Sequence, residues 1–197
     1  MIEVTELLRK TESAAPQIHH AVSVFVICPN GLLHLKRAMD DNIEPGKWGV
    51  ISGHINMGET PLKAAIRESE EESGILLQAY NLRYMGSLVA SAKAKGPVPG
   101  QWDLIPVQLQ TYLVVKPDIE PSMIRLSNEH SDRRFVNENG IMPLIYGSSH
   151  GRIQPHNSIT TFDIAMLSNS CIVRELMRGF NEIGIKMHNK LRMRTTA

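Results

Sequence analysis

The stretch that decides the fold is Gly53–Ile75, GHINMGETPLKAAIRESEEESGI, in which a turn-rich segment leads directly into a helix. Thr60 is a residue type that caps helix N-termini, and Pro61 is favoured at the first helical position, where its missing N–H costs no hydrogen bond. Gly74 can adopt the left-handed conformation that commonly follows a helix. Because neither Gly nor Pro interrupts the segment between them, the sequence predicts a helix over Pro61–Ser73.

Three glutamates share one face of this predicted helix, and we call Glu68, Glu71 and Glu72 the acid ridge. At about 100° per residue, Glu71 and Glu72 lie roughly 60° and 40° to either side of Glu68. Ala64 falls in the same arc one turn earlier, which predicts open space beside the acids. Like charges at this spacing repel, and a hard divalent cation removes the repulsion because it takes carboxylate oxygens as ligands. The alternative is a solvated acidic face in which Arg67 pairs with Glu71.

The order of these glycines, acids and Arg67 resembles the Nudix box. That box reads glycine, five residues, Glu, seven residues, Arg-Glu, an aliphatic residue, any residue, Glu-Glu, any residue, glycine and an apolar residue. Every position of fixed identity matches in this chain. Ser69 departs from the pattern, because it stands at the aliphatic position and in the middle of an apolar stripe of the helix. We therefore expect some lost packing there, and a serine hydroxyl that bonds to a carbonyl of the preceding turn.

The resemblance implies a metal-dependent hydrolase that cleaves a diphosphate linkage in a nucleoside diphosphate derivative, with Mg²⁺ or Mn²⁺ as cofactor. By their match to the box, Glu68, Glu71 and Glu72 are the expected metal ligands and catalytic acids. The carbonyl of Ser52, which precedes the box, is the expected further metal ligand. The box positions with an expected structural role are Gly53, Glu59, Arg67 and Gly74.

Four residues outside the box are further candidates for the site. Glu129 precedes a predicted short strand, where some relatives carry an extra metal ligand or base, so it is a candidate catalytic acid; the alternative is an ordinary loop acid. Arg37 and Arg83 are candidates for binding substrate phosphate, and Trp102 is a candidate for stacking on a base from a mobile loop. For these three the alternatives are a solvated or a packed side chain.

Runs of β-branched and other apolar residues predict strands on both sides of the central helix. Val22–Cys28 is typical of a buried strand, and Asn30-Gly31 predicts the turn of a hairpin that returns over Leu32–Arg37. Further strands are predicted over Trp48–Ile51, Leu82–Ser91, Leu104–Val115 and Arg134–Val136. The expected class is α+β, a mixed β-sheet sandwiched between helices (α/β/α), as in the Nudix fold that the resemblance implies.

A chain of 197 residues fits one domain, here predicted over residues 1–197. We expect a short N-terminal helical extension over 1–15. Apolar residues at near-helical spacing predict a C-terminal helix over 157–180. The tail around Leu191–Arg194 is expected to fray.

Composition excludes several classes of protein. Lys and Arg total 21 against 20 Asp and Glu, a net charge of +1, which removes the basic surface that nucleic-acid and membrane-surface proteins need. Two cysteines, Cys28 and Cys171, exclude a disulfide framework, and Cys28 is expected to be a buried thiol. Without a membrane-spanning stretch or a secretion signal, the expected location is cytoplasmic. The expected partner is a small nucleotide or diphosphate, and a homodimer is a possible assembly.

Two other functions stay open at this point. One is a noncatalytic Nudix-like domain that senses a nucleotide, and the retention of every acid of the box argues against it. The other is an isoprenoid diphosphate isomerase on the same scaffold. An isomerase would need an added cysteine or acid that acts on carbon, and neither Cys28 nor Cys171 stands in a recognisable context for that role. The sequence does not identify the diphosphate substrate.

Overall fold

The computed structural model describes residues 18–141, 160, 166–167 and 169–195. The helical extension predicted over 1–15 lies outside these residues. In chain order the elements are β1 (His19–Cys28), β2 (Gly31–Arg37), β3 (Trp48–Gly49), β4 (Ile51–His54), α1 (Pro61–Ser73), β5 (Arg83–Lys95), β6 (Trp102–Val115), β7 (His130–Val136) and α2 (Ser170–Thr195), with 3₁₀ turns at Ala79–Asn81 and Pro121–Met123.

A seven-stranded mixed sheet is built around β1. Along one edge β1 pairs in parallel with β6, from His19 opposite Val107 to Ile27 opposite Val115. Along the other edge β1 pairs antiparallel with β4 and then with β2. β2 also pairs with β3 and β7, and β5 forms a long antiparallel hairpin with β6. β4 is therefore fixed beside the centre of the sheet, directly before the loop that enters α1.

Alternate residues of β1 point into two different cores. Val22 and the next three even-numbered residues pack around Ala64 and Ala65 of α1, whereas Phe25 and Ile27 pack on the side that holds α2. A strand that is buried on both faces reads as a continuous apolar run, which explains the composition of this segment. The structure thus confirms the α+β class, with the mixed sheet between α1 and α2.

The structure confirms the predicted central helix together with its ends. The Thr60 hydroxyl accepts the backbone N–H of Lys63, and Gly74 takes a φ of 70° after the last turn. The hydroxyl of Ser69, the residue that differs from the box pattern, donates to the Ala65 carbonyl at 2.7 Å, as expected. The expected open space at Ala64 is wrong: this residue is fully buried, because its part of the helix packs on β1.

Several element boundaries differ from the predictions. β5 continues to Lys95 and β6 starts at Trp102, because paired backbone extends through residues of low strand propensity in this hairpin. α2 continues to Thr195, so the tail that was expected to fray belongs to the helix. Its predicted beginning at 157 lies outside the described residues. In the described ranges, no helix has both the length and the apolar character to cross a membrane.

Candidate active site

Arg67 ties the loop before α1 to the acidic face of the helix. Its Nε and Nη2 donate to the two carboxylate oxygens of Glu59, each at 2.9 Å, and Nη2 also donates to the His54 carbonyl at 2.8 Å. Glu59 accepts the backbone N–H of Asn56 at 3.0 Å as well. The hydrogen bonds from Arg67 lower the pKa of the Glu59 carboxyl, so this residue is charged near neutral pH. The pair closes the loop of residues 54–59 onto α1.

The remaining nitrogen of Arg67 contacts the acid ridge. Nη1 donates to Glu68 at 2.6 Å and to Glu71 at 2.9 Å. The contact between Arg67 and Glu71 is the one expected if the acids formed only a solvated face. In the structure the same nitrogen also bonds to Glu68, so the two acids lie close together. Since one NH₂ group of Arg67 bonds to both carboxylates, a divalent cation that bound both of them would replace the positive charge that Nη1 now places there.

Glu68 lies against β4 because Gly53 has no side chain. A Cβ at Gly53 would lie 2.0 Å from the carboxyl carbon of Glu68, so this carboxyl group would have to shift. Burial raises the pKa of the Glu68 carboxyl, and the hydrogen bond from Arg67 opposes that rise. The first glycine of the box therefore serves close approach of an acid to the strand, rather than a turn.

Glu72 is the most deeply buried member of the ridge, at 2% exposed. The backbone N–H of Ser52 donates to its Oε2 at 3.2 Å, and Nε2 of His130 lies 3.8 Å from the same oxygen. Burial raises the pKa of Glu72 well above its usual range, and the charge of Arg37 opposes this. A buried carboxylate is costly unless it is paired or coordinates a metal. Glu72 is therefore placed where a cation would stabilise its charged form.

The chemistry of these donors fits Mg²⁺ or Mn²⁺. The side-chain oxygens of Glu68, Glu71 and Glu72 are the hard oxygen ligands that these ions prefer, and Ser52, whose N–H contacts Glu72, lines the adjacent cleft. Within the described residues, no group of three or more His, Cys, Asp or Glu side chains is already arranged around a single point where an ion could sit. The ridge thus has suitable ligands, and Arg67 holds two of them.

A cleft of about 540 Å³ opens beside the ridge. Glu68 and Glu71 line one side, and Arg37 with the loop after β2 lines another. Glu129 and the β4 residues Ser52 and Gly53 also line it, whereas Glu72 lies behind the lining. Its apolar lining comes from Ala21, Ile43, Ile105, Val107 and Leu109. The structure therefore brings Arg37 and Glu129 together with the box acids.

Arg83 and Trp102 are not among the residues that line this cleft. Nη2 of Arg83 donates to Glu182 of α2 at 2.8 Å, so its charge is paired with a residue of that helix. Trp102 pairs with Lys95 near the tip of the β5–β6 hairpin and is 46% exposed. The segment around Trp102 is strand rather than the expected mobile loop. The geometry gives no support to the substrate-binding roles predicted for these two residues.

Sequence reasoning missed two residues beside the ridge. His130 is buried, and burial lowers its pKa to about 4, so the imidazole is neutral at ordinary pH. Asp41 forms an ion pair with Arg37 at 2.9 Å. The opposite charges of Arg37 and Asp41 are visible in the sequence, but Arg37 ends β2 and Asp41 lies in the loop after it, where spacing alone does not predict contact. His130 is signalled only by its position directly after Glu129.

Comparison with known proteins agrees with the fold and the box. A sequence model of the family described as NUDIX domain matches residues 17–155. The chain is 39% identical over 77 residues to an isopentenyl-diphosphate Delta-isomerase of Streptomyces griseus, which covers 36% of this chain and 39% of the isomerase. It is 45% identical over 62 residues to Nudix hydrolase 3 of Arabidopsis thaliana, which covers 30% of this chain and 8% of that protein. The chain thus spans well under half the length of these relatives.

A solved structure shows the same fold. The MutT protein from Methanosarcina mazei Go1 superposes with a TM-score of 0.52 at 19% identity, over 66% of this chain and 84% of that one. At 19% identity, this structural similarity is evidence for a shared fold only. The family match, in contrast, extends over β1 to β7 and includes α1 with its acid ridge. On that ground the chain belongs to the Nudix family.

Proposed function

We propose that this protein is a metal-dependent pyrophosphohydrolase that cleaves a diphosphate linkage in a nucleoside diphosphate derivative. The observation that carries the proposal is the acid ridge, in which Glu68 and Glu71 line a cleft, and the buried carboxyls of Glu68 and Glu72 have pKa values raised by burial. A divalent cation compensates such carboxylates and in turn attracts phosphate oxygens. The cytoplasmic location and the homodimer stay predictions.

Each residue of the site has a role in this proposal. Glu68, Glu71 and Glu72 would hold Mg²⁺ or Mn²⁺, with the Ser52 carbonyl as a further ligand. When bound, the ion supplies positive charge that neutralises phosphate oxygens and makes water more acidic. Glu129, which lines the cleft, accepts the proton of the attacking water.

Two arginines complete the proposed mechanism. Arg37 lines the same cleft and binds a phosphate group of the substrate. Arg67 contacts Glu59, Glu68 and Glu71 and therefore fixes the position of the loop relative to the acid ridge. Its role is to position the acids, and it contacts no substrate.

The proposal is tested by product release from a panel of nucleoside triphosphates, dinucleotides, nucleotide sugars and coenzymes, each with and without Mg²⁺. We expect metal-dependent release of phosphate or a nucleoside monophosphate from at least one member. Glu70→Gln is the matched control for variants of the ridge, because Glu70 lies on the same helix and is exposed. Nucleotide binding without turnover of any member would contradict the proposal and favour a noncatalytic sensor.

The similarity to the Streptomyces isomerase supports a second candidate, an isoprenoid diphosphate isomerase. Neither cysteine favours it: Cys28 is buried in the core on the α1 side, Cys171 lies on α2, and neither lines the cleft. Incubation with isopentenyl diphosphate and Mg²⁺ separates the two. An isomerase produces the allylic isomer without releasing phosphate, whereas we expect no isomer.

A further inference from the structure

Arg37 enters the cleft from the end of β2, where the ladder with β7 is irregular. The register shifts between Lys36 and Arg37. Such bulges redirect a side chain and are frequent beside active sites. The backbone here is held from two sides, because the Arg37 N–H donates to the Lys47 carbonyl at 2.9 Å and the Ala38 N–H donates to the Glu129 carbonyl at 2.8 Å. The start of the Arg37 side chain is therefore fixed relative to Glu129.

Asp41 fixes the other end of this side chain. Its Oδ2 accepts Nε of Arg37 and lies 2.9 Å from Nη2, while its Oδ1 accepts the backbone N–H of Ile43 at 2.9 Å. Both charged side chains are largely buried, at 13% and 14% exposed. A carboxylate that is itself held by the backbone restricts the guanidinium to one orientation.

The Arg37 guanidinium lies near the acid ridge without bonding to it. Both line the cleft, and the charge of Arg37 is close enough to oppose the effect of burial on the pKa of Glu72. Among the described residues, the hydrogen bonds of this guanidinium go to Asp41. Opposite charges in a partly buried cleft attract strongly. An unrestrained Arg37 would therefore move onto the carboxylates that a divalent ion needs.

We propose that Asp41 is a positioning residue that keeps Arg37 directed at substrate phosphate and away from the acid ridge. This inference rests on the proposed function, since it takes the ridge to be the metal site. Without the Asp41 carboxylate, the guanidinium competes with the divalent ion for the same oxygens. Asp41 itself contacts neither the substrate nor the ion.

The test is calorimetric titration of the full chain with Mn²⁺ in the absence of substrate. Asp41→Asn is expected to weaken Mn²⁺ binding about tenfold, an effect typical of a coupled neighbouring pair. The double variant Arg37→Gln/Asp41→Asn is expected to return to within about threefold of the parent, because the competing cation is gone. Asp40→Asn is the control, since it removes the same charge from the same loop and Asp40 makes no described side-chain bond to Arg37.

Three outcomes would contradict the inference, and they differ in what else they imply. Equal Mn²⁺ affinity in the parent and Asp41→Asn overturns it and leaves the proposed function intact. Weak binding, or loss of the folded circular dichroism spectrum, that persists in the double variant assigns Asp41 a structural role and overturns it as well. A parent that binds no Mn²⁺ overturns the proposed function together with this inference.

Discussion

The acid ridge has an exposed end and a buried end, although Glu71 and Glu72 are adjacent in the chain. The Glu71 side chain is 57% exposed and bonds to Arg67. The Glu72 side chain is 3% exposed and receives a backbone N–H from Ser52. The difference arises because neighbouring helix residues point about 100° apart, so one faces solvent while the other faces the sheet. The charged form of a buried acid needs a cation or hydrogen-bond donors to stabilise it, whereas water stabilises the charged form of an exposed acid.

The largest effect is expected at the buried end. Glu72→Gln keeps the shape of the side chain and removes its charge, so we expect turnover with Mg²⁺ to fall by about 100-fold or more. Glu71→Gln is expected to lose most of its turnover too, but less than Glu72→Gln, because water can replace part of an exposed ligand. The measurement is kcat with Mg²⁺ on the best substrate of the panel.

Exposed Glu70 provides the reference for these two variants. Glu70→Gln should retain the turnover of the parent, and the thermal midpoint of all three variants should stay close to that of the parent. Equal turnover in the parent and Glu72→Gln would remove Glu72 from the metal site.

A smaller but still clear effect is expected when the buried acids are crowded. In Gly53→Ala the new Cβ would overlap the Glu68 carboxyl group, so the carboxylate must move. Because the overlapped atoms are the far end of a flexible side chain, we expect a loss in the free energy of unfolding below the roughly 1–3 kcal/mol of rigid overpacked sites, and a clearer effect as weaker Mg²⁺ binding. Denaturant unfolding and metal titration measure the two quantities.

Gly184→Ala is the matched control for this change, because a Cβ at Gly184 of α2 meets no atom within 4 Å. It should be neutral or slightly stabilising, since Ala is the better helix former. A Gly53→Ala variant that behaves like Gly184→Ala would show that Glu68 is free to relocate.

The smallest expected effect is a pH dependence of stabilisation by Mg²⁺. Because burial raises the pKa of Glu68 and Glu72, the metal-free fold is favoured below their ordinary pKa of 4.5 and loses this contribution as the pH rises through the folded values. Mg²⁺ binds the charged forms, so it should raise the thermal midpoint more at about pH 8 than at about pH 5. Thermal unfolding with and without Mg²⁺ at both values tests this.

Glu72→Gln sharpens the pH comparison, since it removes the more deeply buried of the two carboxylates. The gain from Mg²⁺ should shrink in this variant at about pH 8 and lose most of its pH dependence. A gain that is equal at both pH values in the parent would mean that the buried acids do not bind the ion.

The parts of the site that are local in sequence could be predicted, and the parts that depend on distant contacts could not. The helix Pro61–Ser73, its caps and the Ser69 back-bond follow from spacing and residue type. The burial of Ala64 depends on β1, which packs there from a distant part of the chain. In the same way, the position of Trp102 depends on how far the β5–β6 hairpin extends, and propensity underestimates that length.

The pairing of Arg37 with Asp41 illustrates the same limit at the cleft. The i,i+4 spacing predicts contact on a helix, but Arg37 is the last residue of β2 and the loop after that strand decides where Asp41 lies. Glu129 reaches the cleft because its carbonyl accepts the Ala38 N–H at 2.8 Å, a contact between residues far apart in sequence. Sequence spacing therefore identifies the acids of the ridge. Which other charged side chains lie near them depends on how the strands and loops pack.

The most direct test of the metal site is anomalous diffraction from crystals of the chain grown with Mn²⁺. We predict a Mn²⁺ peak within bonding distance of carboxylate oxygens of the acid ridge, with Nη1 of Arg67 withdrawn from Glu68 and Glu71 while the pair with Glu59 persists. Absence of a peak at the ridge, with Nη1 still bonded to both carboxylates at saturating Mn²⁺, would contradict it.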